Sequence, residues 1–298
     1  MIVNTNRVDL VLQSESGAII SYVEREGKSV LDQNNFITAL WLRELRMQSL
    51  EQFAFFDKPK ALALDYLDNS ASTRSDYARA YGFWPERFEP EWAVGITTDI
   101  DDTAIVNHEL LLAGKTSSKQ LKREFYQILN SVRVPKNTVN SPCWVSPGCY
   151  YTWFPRRSHN NIVDVCANTN AVALLATLNA KTAPGYQAAC ETINNSIKWA
   201  SNNLSRLSAI TPYYPSPFEL LFALEHAIQC GAHELLSARD TLAQILSDSG
   251  LEPVSVICSA AYGNNVWRCD AISALRHQRF NCFSTADKRN NGSALCKY

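Results

Sequence analysis

The sequence has few charged residues and no long apolar segment. Charged side chains make up 19% of the 298 residues, and the formal net charge is -1 at pH 7. This near-neutral balance gives no electrostatic reason to expect nucleic acid or an acidic membrane surface as a partner. No apolar run approaches the roughly 18 residues of a membrane span. The N-terminus also lacks the basic and apolar segments of a signal peptide, so we expect a cytoplasmic protein.

Several motifs of common enzymes are absent as well. The patterns G-x-G-x-x-G, H-E-x-x-H and G-x-S-x-G do not occur, and there is no P-loop. The nine cysteines are an odd number, and none of them forms a C-x-x-C pair. Most lie in apolar helical surroundings, which indicates reduced thiols that pack as small hydrophobes. These absences argue against a dinucleotide site, a nucleoside-triphosphate site or a disulfide framework.

Helical periodicity dominates what is present. Apolar stripes predict a helix in 34–50, with Asp32 or Asn34 as cap, and one near 264–280. Further stripes predict three helix pairs with short polar turns, in 101–132, 162–203 and 216–250. Strand signals are weak, at 8–24 with a turn around Gly17 and at 252–263. We therefore predict an all-α fold with little or no strand.

Helix pairs that recur about every 50 residues are typical of a repeat architecture. The predicted fold is a single α/α barrel (toroid) of helix hairpins over residues 1–283, followed by a polar tail at 284–298. An open helical solenoid is the main alternative.

One short segment concentrates negative charge. Asp99, Asp101 and Asp102 stand directly before an apolar helical run that ends at Gly114. In one interpretation they only begin a helix, because Asp99 is a good cap and acidic residues oppose the helix dipole. In the other they form a site that keeps one carboxyl protonated, because burial and neighbouring carboxylates raise a carboxyl pKa.

The segment 99–104, with the sequence Asp-Ile-Asp-Asp-Thr-Ala, resembles the DxDD motif of class II terpene cyclases. This family includes the squalene–hopene cyclases and the copalyl-diphosphate-type diterpene cyclases. The stretches 148–154 and 160–175 are similar to the segment that follows the motif in smaller bacterial relatives of the squalene cyclases. The likeness covers residues 82–178, and beyond them only the helical pattern agrees.

The resemblance implies an α/α-barrel enzyme that protonates an isoprenoid alkene, with Asp101 as general acid. Asp99 and Asp102 would support Asp101 by hydrogen bonding, polarisation and reprotonation. The chain departs from the family in two respects: it lacks the repeated Q-x-x-D-G-x-W segments, and it has the length of one barrel domain. The cavity would then lie within one barrel or between two chains.

Aromatic side chains near the aspartates are candidates to line a substrate cavity, because aromatic faces stabilise a carbocation without attacking it. The predicted substrate contacts are Trp92, Tyr150, Trp153, Asn168, Tyr213 and Tyr214. Asn168 and Asn170 lie inside an apolar helix and need partners there. They would brace the aspartate helix or contact substrate. Arg156, Arg157 and His159 would hold a diphosphate or form a solvated loop.

Protonation by Asp101 requires no cofactor, and Mg²⁺ would matter only for a substrate that carries a diphosphate. The D-D-x-x-D motif of terpene synthases that ionise a diphosphate is absent. Asp164, Cys166 and His226 resemble the zinc ligands of protein prenyltransferase β-subunits, which is an alternative to the expectation of no metal site. The remaining alternatives are an isomerase, a hydratase or a non-catalytic helical scaffold. The expected partner is a small isoprenoid, and no nucleic acid is expected to bind. A peripheral membrane contact and a homodimer are both left open.

Overall fold

The structure is a computed structural model that describes residues 11–93, 98–136, 141–154, 161–201, 203–251 and 265–276. Most of the described chain is helical. In chain order the elements are β1 (Ile20–Arg25), β2 (Lys28–Gln33), α1 (Asn35–Met47), α2 (Asp57–Asp68), α3 (Ile100–Leu112), α4 (Ser118–Val132), α5 (Val165–Thr177), α6 (Tyr186–Ala200), α7 (Leu204–Ile210), α8 (Pro217–Gln229), α9 (Leu236–Ser249) and β3 (Val266–Arg268). Residues 270–276 are also helical.

The helices form an inner and an outer row. In the inner row α1 packs against α3, α3 against α5, and α5 against α8. Each inner helix also contacts the helix that follows it in sequence, so α2, α4, α6 and α9 form the outer row. Helices α3 and α5 are buried over almost their whole length, whereas α4 and α6 bury one face. For α5 this follows from a mostly apolar sequence, because a helix that is apolar all round must be covered on every side. Helix α3 also buries Asp101, Asp102, His108 and Glu109, so these side chains need partners inside the protein.

Caps fix the starts of the inner helices. The Asn34 side chain accepts a hydrogen bond from the backbone of Ile37 at the start of α1, and Asp99 accepts one from Asp102 at the start of α3. After α3 the chain turns at Gly114, whose φ of 71° is the left-handed conformation that glycine adopts readily. The predicted caps and the predicted end of this helix are confirmed, as are the three helix pairs.

The prediction of an all-α fold with little or no strand is confirmed in part, because the described chain is mostly helical but also contains a small sheet. An antiparallel sheet in the order β2-β1-β3 is present, and its pairings include Arg25 with Lys28 and Val23 with Trp267. The hairpin turns at Glu26 and Gly27, both with positive φ, as in the two-residue turns that suit the twist of paired strands. Glu-Gly is a weaker turn signal than Asn-Gly, and the β3 partner is more than two hundred residues away. For these reasons local periodicity indicated the start of β1, within the strand signal at 8–24, but neither β2 nor β3.

The hairpin predicted around Gly17 is present as a short antiparallel turn: Gln13 bridges to Ile19, and the backbone N–H of Ile20 donates to the Leu12 carbonyl oxygen at 2.8 Å. Gly17 lies in a tight turn before β1, and the backbone of α2 passes so close that an added Cβ would lie 2.3 Å from the Leu62 carbonyl oxygen. Glycine is needed there for close approach and for its φ of 96°.

Two further findings concern the helices and the thiols. No helix in the described ranges is both long and apolar enough to cross a bilayer. The six cysteines that the structure describes are all free thiols, and four of them are buried. The expectation of reduced, mostly buried cysteines is confirmed for these six. Cys258, Cys282 and Cys296, together with the tail at 284–298, lie outside the described residues.

Candidate active site

The three aspartates are buried at the start of α3. Asp99, Asp101 and Asp102 are 3%, 9% and 3% exposed. The Asp99 backbone bridges to Trp153, and the backbone N–H of Ile100 donates to the Thr152 carbonyl oxygen at 2.9 Å. The start of the helix is thus held against the segment 150–154. Asp99 is the helix cap. Capping requires only this one side chain, so it does not explain why Asp101 and Asp102 are also buried.

Asp101 has a partner on each carboxyl oxygen. Asn170 on α5 donates to Oδ1 at 2.6 Å, and the Tyr214 hydroxyl donates to Oδ2. Arg43 on α1 donates from Nη2 to the Asn170 Oδ1 at 3.0 Å, so Asn170 connects the guanidinium to the carboxyl. Helices α1, α3 and α5 and the segment before α8 therefore meet at Asp101. The two donors and the nearby cation stabilise the negative charge left when Asp101 loses a proton.

Burial raises the pKa of all three carboxyl groups. For Asp101 the hydrogen bonds from Tyr214 and Asn170, and the charge of Arg43, act against this rise. Burial raises the pKa of Asp99 to about 7. The hydrogen bond with Asp102 lowers this pKa, and the charge of Asp101 raises it further. Burial and the charge of Asp99 hold the pKa of Asp102 well above its usual value. The site therefore retains protons near neutral pH.

Asp164 adds a fourth buried carboxyl group. It caps α5 by accepting from the backbone N–H of Ala167 at 3.0 Å, and burial, with the charge of Asp101, raises its pKa to about 8. The sequence suggested Asp164 as a zinc ligand with Cys166 and His226. That zinc set is not assembled. Within the described chain, the one group of three or more ligating side chains that includes His226 is completed by His108 and Cys230.

A narrow cavity lies beside Asp101, between α1, α5 and α8. Its lining comprises Phe36, Leu40, Arg43, Glu44, Cys166, Asn170, Tyr214, Glu219, Phe222, Ala223 and Arg276. The volume is about 10 Å³, which is room for roughly one water molecule. Asp101 lies behind Tyr214 and Asn170, which face the cavity. The Phe36 and Tyr214 rings meet at an angle of 60° with centroids 5.8 Å apart.

The far wall of the cavity is held by buried charges. Arg276 donates to Glu44 at 2.8 Å and makes a bidentate pair with Glu219 at 2.5 and 3.1 Å. The Arg276 guanidinium also lies 4.2 Å from the centre of the Phe222 ring. Paired in this way, the three charged groups compensate one another in an environment that would penalise each alone.

The predicted aromatic residues divide into two groups. Tyr214 contacts Asp101 directly, and Trp153 donates from its indole nitrogen to the Tyr213 hydroxyl at 2.7 Å, beside Asp99. Trp92 instead packs against Trp84 and Trp267, with ring centroids 5.5 and 6.1 Å apart.

Tyr150 is fully buried and donates to the Pro184 carbonyl oxygen at 2.9 Å. Of the six predicted substrate contacts, Tyr214 alone lines this cavity; the other five, Trp92, Tyr150, Trp153, Asn168 and Tyr213, are not among its lining residues.

The two asparagines of α5 have different tasks. Asn170 joins Asp101 to Arg43, which is the bracing of the aspartate helix that the sequence suggested. Asn168 accepts from the backbone N–H of Tyr150 and donates to the carbonyl oxygens of Tyr150 and Asp164, at 2.9–3.1 Å. It positions the segment that carries Tyr150. Arg156, Arg157 and His159 lie outside the described residues.

The sequence analysis missed the residues that α1 contributes. Phe36, Leu40 and Arg43 all line the cavity, and their spacing of four and then three residues places them on one helix face. The available signal was Arg43, a charged residue that continues the apolar stripe of Phe36 and Leu40. An arginine in that position must be buried with a partner, which would have indicated a buried polar site.

The comparisons with known proteins give no assignment. No protein-family model matches the chain, and a search of curated proteins found no match. Function is therefore inferred from the geometry of the site.

Proposed function

We propose that the chain is a general-acid enzyme of the class II terpene cyclase type, in which Asp101 protonates an isoprenoid alkene. The observation that carries this proposal is the buried Asp101 carboxyl group, whose pKa burial raises, behind a cavity that Phe36, Tyr214 and Phe222 help to line. Protonating an unactivated alkene requires an undissociated acid in a dry site, and burial supplies both conditions. The hydrogen bonds from Tyr214 and Asn170 make the acid stronger, because they stabilise its conjugate base.

We also propose that the two rows of helices close into a barrel. The inner helices α1, α3, α5 and α8 would form the inner ring of a single α/α barrel, with the outer helices around it. The cavity between α1, α5 and α8 would be the centre of this barrel. Arg276 contacts Glu44 on α1 and Glu219 on α8, so it would join the first and the last inner helix.

The first chemical step transfers one proton. The Asp101 O–H bond breaks, the π electrons of the alkene form a new C–H bond, and the remaining carbon becomes a carbocation. The Asp101 carboxylate keeps the bonding electrons and is stabilised by Asn170 and Tyr214. Tyr214 stands between Asp101 and the cavity, so the proton passes through its hydroxyl. Once Asp101 is protonated, the hydroxyl turns to accept from Asp101 and directs its own hydrogen to the alkene. It gives that hydrogen to the alkene carbon as it receives the Asp101 proton, and Tyr214 is then neutral and donates to the Asp101 carboxylate, as in the structure.

Completion of the cycle needs a new proton on Asp101. Loss of a proton from the carbocation, or addition of water followed by loss of a proton, ends the reaction. Either ending releases one proton, which balances the proton that Asp101 gave. Asp102, whose pKa is held well above its usual value, is the nearest proton reservoir on the same helix turn. Asp99 keeps the helix start in place and shares the proton of Asp102.

The substrate must widen the cavity. A space of about 10 Å³ is far smaller than an isoprenoid. Phe36 and Phe222 face this space and would have to turn aside when a substrate enters. Short isoprenoids need the smallest displacement, so we expect turnover to favour them over longer homologues.

Incubation in D₂O tests the type of chemistry. The purified full chain is incubated with prenyl alcohols, alkenes and diphosphates of increasing length, and products are analysed by mass spectrometry. Protonation of an alkene adds a solvent hydrogen, so cyclised or isomerised products should carry one deuterium at the initiating carbon. Products without deuterium would show ionisation chemistry, and absence of any product across the series would favour a non-catalytic scaffold.

Asp101→Asn is the decisive variant. It keeps the shape of the side chain but removes the acidic proton, so turnover should fall by roughly 10²–10⁴-fold, as is typical when a general acid is lost. Tyr214→Phe keeps the ring, removes the relaying hydroxyl and should lower turnover in the same direction. Asp240→Asn, at an exposed carboxylate, is the matched control and should be as active as the wild type. Full activity of Asp101→Asn would overturn the proposal.

A further inference from the structure

A second polar cluster lies at the other end of α3. His108 on α3, His226 on α8 and Cys230 just after α8 each direct one donor atom to a common point, and these atoms lie within 4.8 Å of one another. Both histidines are buried, and Cys230 is half-buried. His226 and Cys230 are four residues apart, so they share one helix face. His108 follows Asp101 by seven residues, which places this cluster about 10 Å along the helix from the acid.

The two sulfur-to-nitrogen distances in the cluster match tetrahedral metal coordination. The Cys230 Sγ lies 3.5 Å from the Nε2 atom of His108 and 3.5 Å from that of His226. Zinc binds sulfur at about 2.3 Å and imidazole nitrogen at about 2.0–2.1 Å. Tetrahedral angles with these bond lengths separate the two donor atoms by about 3.5 Å. The three donors can therefore surround one ion with small side-chain adjustments.

The surroundings provide the outer partners that metal-binding histidines use. The Nδ1 atom of His108 lies 3.3 Å from Glu109 Oε1, which orients Nε2 toward the common point. Arg46 is bound to the same Glu109 oxygen at 2.7 Å, and it also lies 3.3 Å from His226 Nε2. Thr177 Oγ1 lies 2.9 Å from His108 Nε2. Metal binding would break the contact of Arg46 with His226 Nε2 and that of Thr177 with His108 Nε2, because the ion takes both nitrogens. The hydrogen bond from Arg46 to Glu109 would remain.

We propose that His108 Nε2, His226 Nε2 and Cys230 Sγ bind a Zn²⁺ ion, with Glu109 as the outer partner of His108. Two imidazoles and one thiolate are a donor set that suits zinc, and calcium and magnesium prefer oxygen ligands. Three protein ligands leave a fourth position for water or a substrate atom. This site is separate from the aspartates and does not depend on the proposed acid chemistry.

Cobalt substitution tests the site in the wild-type chain. The metal-free full-length protein is titrated with Co²⁺ and then with Zn²⁺, under reducing conditions. Binding to Cys230 should produce a thiolate-to-cobalt charge-transfer absorption that saturates at about one ion per chain and disappears when zinc displaces cobalt. Absence of that absorption in the wild type would overturn the proposal, whether or not any variant folds.

Variants and alkylation locate the ion. Cys230→Ser and His108→Ala should weaken zinc binding by more than the roughly 10–100-fold that loss of an outer partner costs. Cys143→Ser and His233→Ala, at an exposed cysteine and an exposed histidine, are the matched controls and should bind zinc as the wild type does. Zinc should also protect Cys230 from iodoacetamide. Equal alkylation of Cys230 with and without zinc would contradict the proposal, and it would indicate a free nucleophilic thiol.

Discussion

The two ends of α3 carry buried acidic groups in opposite electrostatic settings. At the start of the helix, Asp99, Asp101 and Asp102 have no salt bridge to any residue in the described chain. Near its end, Glu109 is equally buried but pairs with Arg46 at 2.7 Å and contacts His108 at 3.3 Å. Burial raises the pKa of Asp99 to about 7, whereas the charge of Arg46 overcomes burial and lowers the pKa of Glu109 to about 2.

This comparison shows that burial alone does not decide whether a carboxyl group holds a proton. Loss of water penalises the charged form at both ends, and a directly bound cation reverses the result at one of them. At the other end the nearest cation, Arg43, reaches Asp101 only through the amide of Asn170. One helix can therefore carry a proton donor at its start and a permanently ionised group two turns later.

The largest effect on stability is expected where the ion pair is broken. Glu109→Gln removes the charge that compensates Arg46, and loss of one member of a buried pair costs about 3–5 kcal/mol. Arg46 is 27% exposed and can regain water, so we expect about 3 kcal/mol. Urea denaturation followed by circular dichroism measures this change. The exposed Glu191→Gln on α6 is the control, and a Glu109→Gln variant as stable as that control would show that the two ends of α3 do not differ.

A smaller effect is expected from the helix cap. Asp99→Ala removes the side chain that accepts the Asp102 backbone N–H at 2.8 Å, which should cost about 1 kcal/mol. Asp99→Asn keeps an accepting oxygen and should be nearly as stable as the wild type. Melting temperatures of the two variants provide the comparison. Equal destabilisation by both would indicate that the charge of Asp99, rather than its hydrogen bond, supports the fold.

The sequence predicted the parts of the molecule that depend on local patterns. Apolar stripes located the inner helices and the outer helices α4, α6 and α9, but not α2, and the helix predicted near 264–280 begins only after β3. Asn34, Asp99 and Gly114 marked helix ends through conformations that are set within a few residues. The β2-β1-β3 sheet could not be found in this way, because Val23 and Trp267 pair across most of the chain.

The same limit applies to the site. Asp101, Tyr214 and Asn170 were found because each is unusual in its own segment. The distant partners were not found, since nothing local relates Arg43 to Asn170 or His108 to Cys230. Trp92, Tyr150, Trp153 and Tyr213 were predicted at the cavity but do not line it, because aromatic content alone does not distinguish a lining residue from a residue packed elsewhere.

We expect the carboxyl groups at the start of α3 to hold protons at neutral pH and Glu109 to be ionised. Infrared spectroscopy tests this expectation directly, because a protonated carboxyl group has a carbonyl stretch that is distinct from the bands of a carboxylate. The wild-type protein should show this band at pH 6, and the band should decrease as the pH rises through about 7, the value to which burial raises the Asp99 pKa. Asp102→Asn should reduce the band, and Glu109→Gln should leave it unchanged. A wild-type spectrum without any protonated carboxyl at pH 6 would contradict the account.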